Sequence, residues 1–454
     1  MTLTKTKSTL DLTEGPFFKK ILCFAVPLIL TGLLQCFYNA ADVAVIGFFR
    51  GQQALAAVGS TVSLNNVIVN LFMGFSVGAG VLVAQAVGAK EDETLEKIVH
   101  SAMLLAGILG VVVGTVGYVF APWLLRWLDT PETVLDGAVR YLRIIFLGIP
   151  ALMVYNYCAS MVRSSGDSKR PLIFLSISGA VNVILNVTLV AGFGMGVEGV
   201  GIATIVSQYL SAGMILCFLH RGTGKLHFSF SRLRMNRWAM GKMLYIGIPS
   251  GIQSSLLSLS NVFLQSSINA FGDAMVAANS AANNLEGFVY VAMNGVAQSA
   301  QTFAGQNMGA KKPRNLPKIL GVSWLCGIAL WVVGCALLLG FRNFFIGLYA
   351  PDNPEVLRLA VGRMLVMLPT AFLVALSTTA TFVLVGLGKS LYCMLISLIS
   401  YCGFRIFWLM AIYPKIGTPQ SLYYAHPISW LFVTILGTVG FLVVYRRLLP
   451  TKNE

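Results

Sequence analysis

Long apolar stretches alternate with short polar connections over nearly the whole chain of 454 residues. Each stretch has about 20 residues or more, which is the length that an α-helix needs to cross the hydrocarbon core of a bilayer. Such segments must be helical, because lipid cannot satisfy exposed backbone groups. Twelve spans are predicted, at roughly 20–48, 54–87, 98–121, 134–162, 170–192, 197–219, 241–271, 275–308, 316–340, 356–385, 390–412 and 426–446.

The composition excludes a soluble globular protein. Hydrophobic residues make up 56% of the chain and charged residues 11%, whereas a soluble domain carries about 25% charged residues. The net charge of +15 would suit nucleic acid. However, Lys and Arg are concentrated in alternate connections, which is the positive-inside pattern of membrane proteins. We therefore predict an all-α polytopic membrane protein with both termini in the cytoplasm, the lipid bilayer as its partner and no nucleic acid.

An internal repeat divides the chain into two halves. Residues 85–90 read Gln-Ala-Val-Gly-Ala-Lys, and residues 306–311, which lie 221 positions further on, read Gln-Asn-Met-Gly-Ala-Lys. Pro27 has a counterpart in Pro249. Such repeats indicate a duplicated architecture, so the twelve helices are expected to form two pseudo-symmetric six-helix bundles. The predicted parts are an N-terminal tail (1–19), a first lobe (20–220), a basic cytoplasmic linker (221–240), a second lobe (241–447) and a C-terminal tail (448–454).

The sequence carries no motif that is typical of an enzyme. The eight cysteines are scattered singly, without the spacing of a disulfide framework or a zinc site. No G-x-x-x-x-G-K-[ST] motif for nucleotide binding is present. The first apolar stretch is too long for the core of a cleavable signal peptide, so it is predicted to be retained as helix 1. A membrane protein without enzymatic activity and without an organic cofactor is expected.

Two acidic residues, Asp42 and Glu286, lie inside predicted spans. A carboxylate in the membrane centre costs about 2.5–3.5 kcal/mol on insertion scales, so such a group is a candidate functional residue. Asp42 shares a helix with Thr31, Gln35 and Tyr38, at intervals of four, three and four residues. This spacing places all four side chains on one face of helix 1.

Further polar residues in the first half lie at helical spacing in predicted spans. Amide and hydroxyl oxygens beside one carboxylate could hold Na⁺ or solvate a proton carrier, and a sodium site at Asp42, Asn182 and Asn186 is predicted. The alternative is ordinary hydrogen bonding between helices. These polar residues are Asn156, Ser178, Asn182, Asn186, Thr204, Gln208 and Ser211.

Helix 8 carries the longest polar stripe, and it is predicted to form the wall of a substrate cavity together with Gln35. Glu286 would then attract a cationic ligand or carry a proton; the alternative is a carboxylate held by neighbouring amides. Arg405 is predicted to be the one cation deep in the membrane, and it has no assigned role. The stripe comprises Asn279, Asn283, Glu286, Tyr290, Asn294, Gln298 and Gln301.

These features together resemble the multidrug and toxic compound extrusion (MATE) family, most closely its DinF/MepA-like bacterial branch. The resemblance rests on the twelve helices in two halves, the Pro27–Asp42 helix, the repeated six-residue sequence at 85–90 and 306–311, and the Asn182/Asn186 pair. It implies two lobes around a large pocket that opens to either side in turn. Carried over residue by residue, the cation site of the family would consist of Asp42, Asn156, Asn182, Asn186 and Thr204, supported by Tyr38.

The resemblance implies a monomeric antiporter of the bacterial inner or plasma membrane, which exports organic cations and drugs in exchange for H⁺ or Na⁺. Two departures bear on the ion. Some relatives have a second carboxylate where Asn186 stands, and others have carboxylates on helices 7 and 10, where this chain has only Glu355 at the outer start. One alternative is a flippase for lipid-linked precursors, although such proteins usually have more helices and an arginine-rich cavity. Another is a passive channel or a signalling protein.

Overall fold

The computed structural model describes residues 11–128, 130–222, 226–349 and 353–449, apart from the side chains of residues 50, 52, 53, 55, 62 and 63. Parts of the predicted tails and of the basic linker lie outside the described residues. Within the described ranges, the regular elements are helices and no strand is present. The predicted all-α fold class is therefore confirmed.

Twelve long helical segments follow one another in the described chain. The run Phe17–Ala89 is helical except at Gly51, whose φ of 75° breaks it into two spans. The tenth segment consists of two helices that meet at an angle of 48°. The segments are α1 (Phe17–Phe49), α2 (Leu64–Ala89), α3 (Asp92–Trp127), α4 (Glu132–Ser164), α5 (Lys169–Gly192), α6 (Val197–His220), α7 (Arg237–Asn269), α8 (Asp273–Gly309), α9 (Leu316–Gly340), α10 (Pro354–Thr370 and Phe372–Gly386), α11 (Ser390–Ile416) and α12 (Pro419–Leu448).

The helices extend beyond the predicted apolar spans, by about seven residues at the start of α12. In the described part of the chain, nine helices are apolar and long enough to cross a membrane, and the bent pair of α10 makes a tenth. The two remaining helices, α7 and α8, are more polar, and α8 carries the polar stripe noted in the sequence. Polar membrane helices must direct these residues towards protein or water.

The helices form two compact units. Unit 1 comprises Leu30–Ile248 together with Asp11, and unit 2 comprises Leu12–Ile29 and the chain from Pro249 onwards. The predicted lobes, 20–220 and 241–447, placed all of α1 in the first lobe and all of α7 in the second. In the structure each of these two helices is divided between the units. The physical reason is proline: Pro27 and Pro249 each remove a backbone hydrogen bond inside a helix. The segments on either side of the break can then pack against different neighbours.

Glycines allow close helix packing in unit 1, and this packing positions its polar residues. A Cβ atom at Gly117 of α3 would lie 2.0 Å from the ring of Phe146 on α4. A Cβ at Gly179 of α5 would lie 1.9 Å from the ring of Tyr38 on α1. Small residues allow membrane helices to approach in this way. The polar faces of α1, α4 and α5 are therefore held close together.

The core of unit 2 is built around α8. Buried apolar residues of α8, α10 and α12 pack together, among them Met293, Met364 and Val433. Gly386 approaches the backbone of α8 so closely that a Cβ atom there would lie 2.4 Å from the carbonyl oxygen of Gln301. Within the polar stripe of α8, Asn279 and Glu286 are buried, whereas Asn283 is exposed.

Candidate functional site

Unit 1 contains a polar cavity of about 360 Å³, lined by residues of α1, α2, α4, α5 and α6. Seven of its lining residues are asparagine or aspartate, which is unusual for the interior of a membrane-helix bundle. The structure brings most of the predicted first-half site to this cavity. The predicted residues that line it are Gln35, Tyr38, Asp42, Asn156, Asn182 and Thr204.

Asp42 is held by the asparagine pair of α5. The amide nitrogen of Asn186 donates a hydrogen bond to Oδ1 of Asp42, and the same nitrogen lies 3.2 Å from Oδ1 of Asn182. Both asparagines are buried, with 0% and 5% of their surface exposed. The predicted trio of Asp42, Asn182 and Asn186 is therefore in direct contact, although Asn186 itself does not line the cavity.

No basic residue neutralises Asp42 within the described chain, since none of the ion pairs found there involves its carboxylate. Its hydrogen-bond donor is a neutral amide. A carboxylate placed in this way keeps its full charge unless it takes up a proton or a cation. The charge of the cavity therefore depends on what Asp42 binds.

Two buried amide oxygens of unit 1 have no hydrogen-bond donor in the structure: Oδ1 of Asn186 and Oε1 of Gln208. An unsatisfied buried acceptor costs about 1–3 kcal/mol. Carboxylate and amide oxygens are the ligand types that hard cations prefer. The donor set at Asp42 thus matches the chemistry of Na⁺ and equally that of a group that takes up a proton.

The remaining predicted members of the site make mainly backbone contacts. The hydroxyl of Tyr38 donates to the carbonyl of Ser176 on α5 at 3.3 Å, and the hydroxyl of Thr204 donates to the carbonyl of Val200 at 2.9 Å. Asn156 is buried in the cavity wall on α4. These three residues share the cavity of Asp42 without touching its carboxylate through a hydrogen bond found in the described chain.

The prediction missed the contribution of α2. Asn65, Asn66 and Asn70 line the cavity, as does Asn39 of α1. The signal was present in the sequence, because asparagines at positions 66 and 70 are one helical turn apart within an otherwise apolar span.

In unit 2, Glu286 does not present a free carboxylate. Its side chain is fully buried, and Arg363 of α10 binds both carboxylate oxygens, with Nη2 at 2.9 Å from Oε2 and Nε at 3.2 Å from Oε1. The expectation that Glu286 attracts a cationic ligand from a cavity wall is wrong for this structure. Its charge is neutralised inside the unit.

Neighbouring amides complete this ion pair. Arg363 also donates to the side-chain oxygens of Asn279 and Asn283, and the hydroxyl of Tyr290 lies 3.5 Å from Oε2 of Glu286. Asn279 in turn donates to Gln265 of α7 at 2.6 Å. Of the predicted cavity residues on α8, Asn283, Glu286 and Tyr290 thus belong to one polar network, in which Glu286 is buried and Asn283 is exposed.

Asn294, the remaining predicted cavity residue, is partly buried about two turns beyond Glu286. No hydrogen bond in the described chain joins it to the Glu286–Arg363 network.

Arg405 is not the only buried cation of the membrane helices, because Arg363 is one as well. Arg363 was missed because it lies near the start of a predicted span and was counted with the outer connections. Arg405 donates to Ser260 at 3.1 Å, to Asn261 at 3.0 Å and to Ser429 at 3.1 Å. In the described part of unit 2 it has only neutral partners, and it joins α11 to α7 and α12.

The sequence model of the MatE family matches residues 27–188 and again residues 249–409. The matches begin at the prolines at which α1 and α7 pass between units, and together they cover more than half of the chain. The fold is a duplicated bundle of membrane helices with one polar cavity described in unit 1. The chain belongs to the MatE family.

Curated relatives have similar lengths. The chain is 26% identical over 396 residues to the probable multidrug resistance protein YoeA of Bacillus subtilis, covering 86% of this chain and 85% of that protein. It is 29% identical over 304 residues to the probable multidrug resistance protein YpnP of the same organism, covering 66% and 67%. It is 24% identical over 344 residues to the multidrug export protein MepA of Staphylococcus aureus, covering 76% of each.

Solved structures share the fold at low sequence identity. One is an outward-facing multidrug resistance MATE family transporter of the MOP superfamily, with a TM-score of 0.89 and 19% identity over 98% of this chain and 99% of that chain. Another is a MOP superfamily transporter from Pyrococcus furiosus, with a TM-score of 0.90 and 20% identity over the same shares of each chain. At these identities the likeness establishes the fold of the chain.

Proposed function

We propose that the protein is a secondary active antiporter that exports organic cations and amphipathic drugs in exchange for H⁺ or Na⁺. The observation that carries the proposal is Asp42, a carboxylate on a membrane helix that has a neutral amide as its hydrogen-bond partner at a polar cavity. The curated relatives named as multidrug resistance or export proteins support the substrate class. The protein would be a monomer in the bacterial plasma membrane, with both termini in the cytoplasm.

Energy would come from the inward flow of the coupling ion. The membrane potential supplies about 2.3 kcal/mol for each charge moved across 100 mV. Asp42 would take up H⁺ or Na⁺ from outside, and the loss of negative charge would favour repacking of α1 near Pro27. Linkage requires that drug and ion weaken each other's binding by the same factor in at least one state. Asn182 and Asn186 would supply amide oxygens to Na⁺, or hydrogen bonds to a protonated Asp42.

The decisive variant is Asp42→Asn. Asparagine keeps the size of the side chain and an oxygen that accepts the hydrogen bond from Asn186, but it cannot bind a proton or carry a charge. In proteoliposomes with an imposed ion gradient, export of a fluorescent organic cation is expected to fall to the rate seen without a gradient, because the variant side chain has no charge that a coupling ion can neutralise.

The matched control is Asp136→Asn, which removes one carboxylate from an exposed position at the start of α4. It should export at the rate of the unmodified protein. Imposing a pH gradient and a sodium gradient in separate vesicles identifies the coupling ion. Export by Asp42→Asn at the full rate under either gradient would show that another residue couples ion and drug.

The flippase alternative has weaker support. An anionic lipid-linked precursor would need buried cations without partners, but Arg363 is paired with Glu286 and only Arg405 has neutral partners in the described part of unit 2. Transport of a lipid-linked oligosaccharide by the reconstituted protein, without export of an organic cation, would favour this alternative. Movement of a substrate down its own gradient alone would favour a channel.

A further inference from the structure

The connection between α8 and α9 forms one wall of a pocket of about 620 Å³ at the edge of unit 2. The end of α12, at Leu448, forms another part of the wall. A candidate membrane span starts at Pro313, beside the pocket, and another ends at Leu448. The pocket therefore lies where two membrane helices leave the bilayer, which is the depth of lipid headgroups.

Positive charge dominates this pocket. Lys311, Lys312 and Arg314 line it, together with the apolar side chains of Met308 and Leu448. Lys312 is paired with Glu14 of the N-terminal segment. Lys311 and Arg314 are exposed, and neither takes part in an ion pair within the described residues. Two positive charges thus face the pocket without an acidic partner.

The repeat supplies an internal comparison for these charges. Lys90 and Lys311 are the last residues of the six-residue repeats 85–90 and 306–311. Both have a left-handed backbone conformation, with φ values of 60° and 55°. After Lys90 the chain continues with Glu91, Asp92 and Glu93, whereas after Lys311 it continues with Lys312, Pro313 and Arg314. The backbone is shared but the charge is reversed. A connection at this place in the repeat therefore does not need a cluster of basic residues for its backbone conformation.

We propose that the pocket of Lys311, Lys312 and Arg314 binds the phosphate headgroup of an anionic phospholipid. An arginine guanidinium matches the geometry of a phosphate and a lysine adds a mobile point charge. Basic pockets at the ends of membrane helices are suited to anionic headgroups. Met308 and Leu448 place apolar surface beside the charges, and this surface would contact the glycerol and upper acyl carbons of the lipid. Free phosphate would make the ionic contacts alone.

Binding of a soluble lipid to the full-length protein in neutral detergent tests the proposal. The probes are dioctanoyl phosphatidylglycerol, dioctanoyl phosphatidylcholine and inorganic phosphate, measured by native mass spectrometry or calorimetry. The double variant Lys311→Gln/Arg314→Gln is expected to bind phosphatidylglycerol about 25-fold more weakly, because each basic residue near a membrane surface contributes about fivefold. The exchanged variant Lys311→Arg/Arg314→Lys keeps both charges and should bind within about twofold of the unmodified protein.

The control is Lys90→Gln/Lys97→Gln, which removes one positive charge from the matching connection of unit 1 and one from the second turn of α3 beyond it. It should leave the affinity for phosphatidylglycerol unchanged. Equal loss in the control would show that net charge, and not this pocket, determines binding. Equal affinity for phosphatidylcholine, or displacement of phosphatidylglycerol by inorganic phosphate at the same concentration, would overturn the assignment to an anionic lipid. These results do not depend on transport, so they remain separate from the test of Asp42.

Discussion

The two units of this protein share a repeated helix order but differ in how they treat an acid inside a membrane helix. In unit 1, Asp42 is bound by the neutral amide of Asn186 beside a polar cavity. In unit 2, Glu286 is bound on both oxygens by Arg363 and enclosed by the amides of α8. In the first arrangement the charge of Asp42 is available to a small cation, whereas in the second the charge of Glu286 is neutralised by Arg363. We infer that the two units arose from one duplicated fold and that a few polar substitutions then made their acidic residues differ in hydrogen-bond and ion-pair partners.

The repeat positions show how little sequence change this division needs. Gln265 stands near the place in α7 that Asp42 has in α1, and Asn65 stands at the place in α2 that Glu286 has in α8. Each unit therefore has one acid and one amide at equivalent positions, in opposite arrangement. The units also differ in the partner of the acid. In unit 2 a buried arginine of α10 pairs with Glu286, whereas no ion pair to Asp42 is present among the described residues.

The largest effect on stability is expected from breaking the ion pair of unit 2. Arg363→Gln leaves Glu286 buried without its cation, which should lower the free energy of unfolding by about 3–5 kcal/mol. Thermal unfolding of the purified protein measures the change. The double variant Glu286→Gln/Arg363→Gln removes both charges, so it should recover a large part of the loss.

Asp42→Asn is the matched comparison in unit 1, and it should lower stability by less than about 1 kcal/mol, because the substitution leaves no buried charge without its partner. If Arg363→Gln and Asp42→Asn destabilised the protein equally, the contrast between a structural charge and an available charge would be lost. If the double variant Glu286→Gln/Arg363→Gln were no more stable than Arg363→Gln, Arg363 would stabilise the protein through packing and not through its charge.

A smaller effect is expected at Arg405. Its three hydrogen bonds to neutral partners contribute about 1.5–3 kcal/mol each, against about 2.5–3.5 kcal/mol for placing an arginine in the membrane. The bonds outweigh the cost even at the lower end of their range, so Arg405→Gln should lower the free energy of unfolding by about 1–2 kcal/mol.

Arg342→Gln, at an exposed position beyond α9, is the control for Arg405 and should have no measurable effect on thermal unfolding. An increase in stability for Arg405→Gln would mean that its charge is a cost that the three bonds do not offset. In that case Arg405, like Asp42 in the proposed function, would be a charge that the fold itself does not need.

A further effect, of similar size to that at Arg405, distinguishes the coupling ions at Asp42. If Na⁺ binds the folded protein, adding it at about ten times its dissociation constant should raise stability by about 1.4 kcal/mol. Thermal unfolding in sodium chloride and in choline chloride at equal ionic strength measures the difference. Asp42→Asn should abolish it. An equal response of the variant would place sodium elsewhere, and no response in either protein would favour H⁺.

The sequence predicted the helices and the first-unit site to the extent that local pattern decides them. Apolar length determines whether a segment can cross a bilayer, and a spacing of three and four residues determines that Gln35, Tyr38 and Asp42 share a helix face. Both are properties of neighbouring residues along the chain. The Asn182/Asn186 pair was also visible as a polar spacing, although its contact with Asp42 was an expectation from the family resemblance.

Tertiary structure alone decided the pairing of charges and the division of α1 and α7 between units. Arg363 lies 77 positions from Glu286 along the chain, and nothing in the helical spacing of α8 indicates which face of α10 it meets. That choice depends on the rotation and crossing of packed helices, which close glycine contacts such as Gly386 against α8 help to set. The apolar spans therefore identified the two acids inside membrane helices, whereas packing determined that Glu286 is paired with a cation and Asp42 is not.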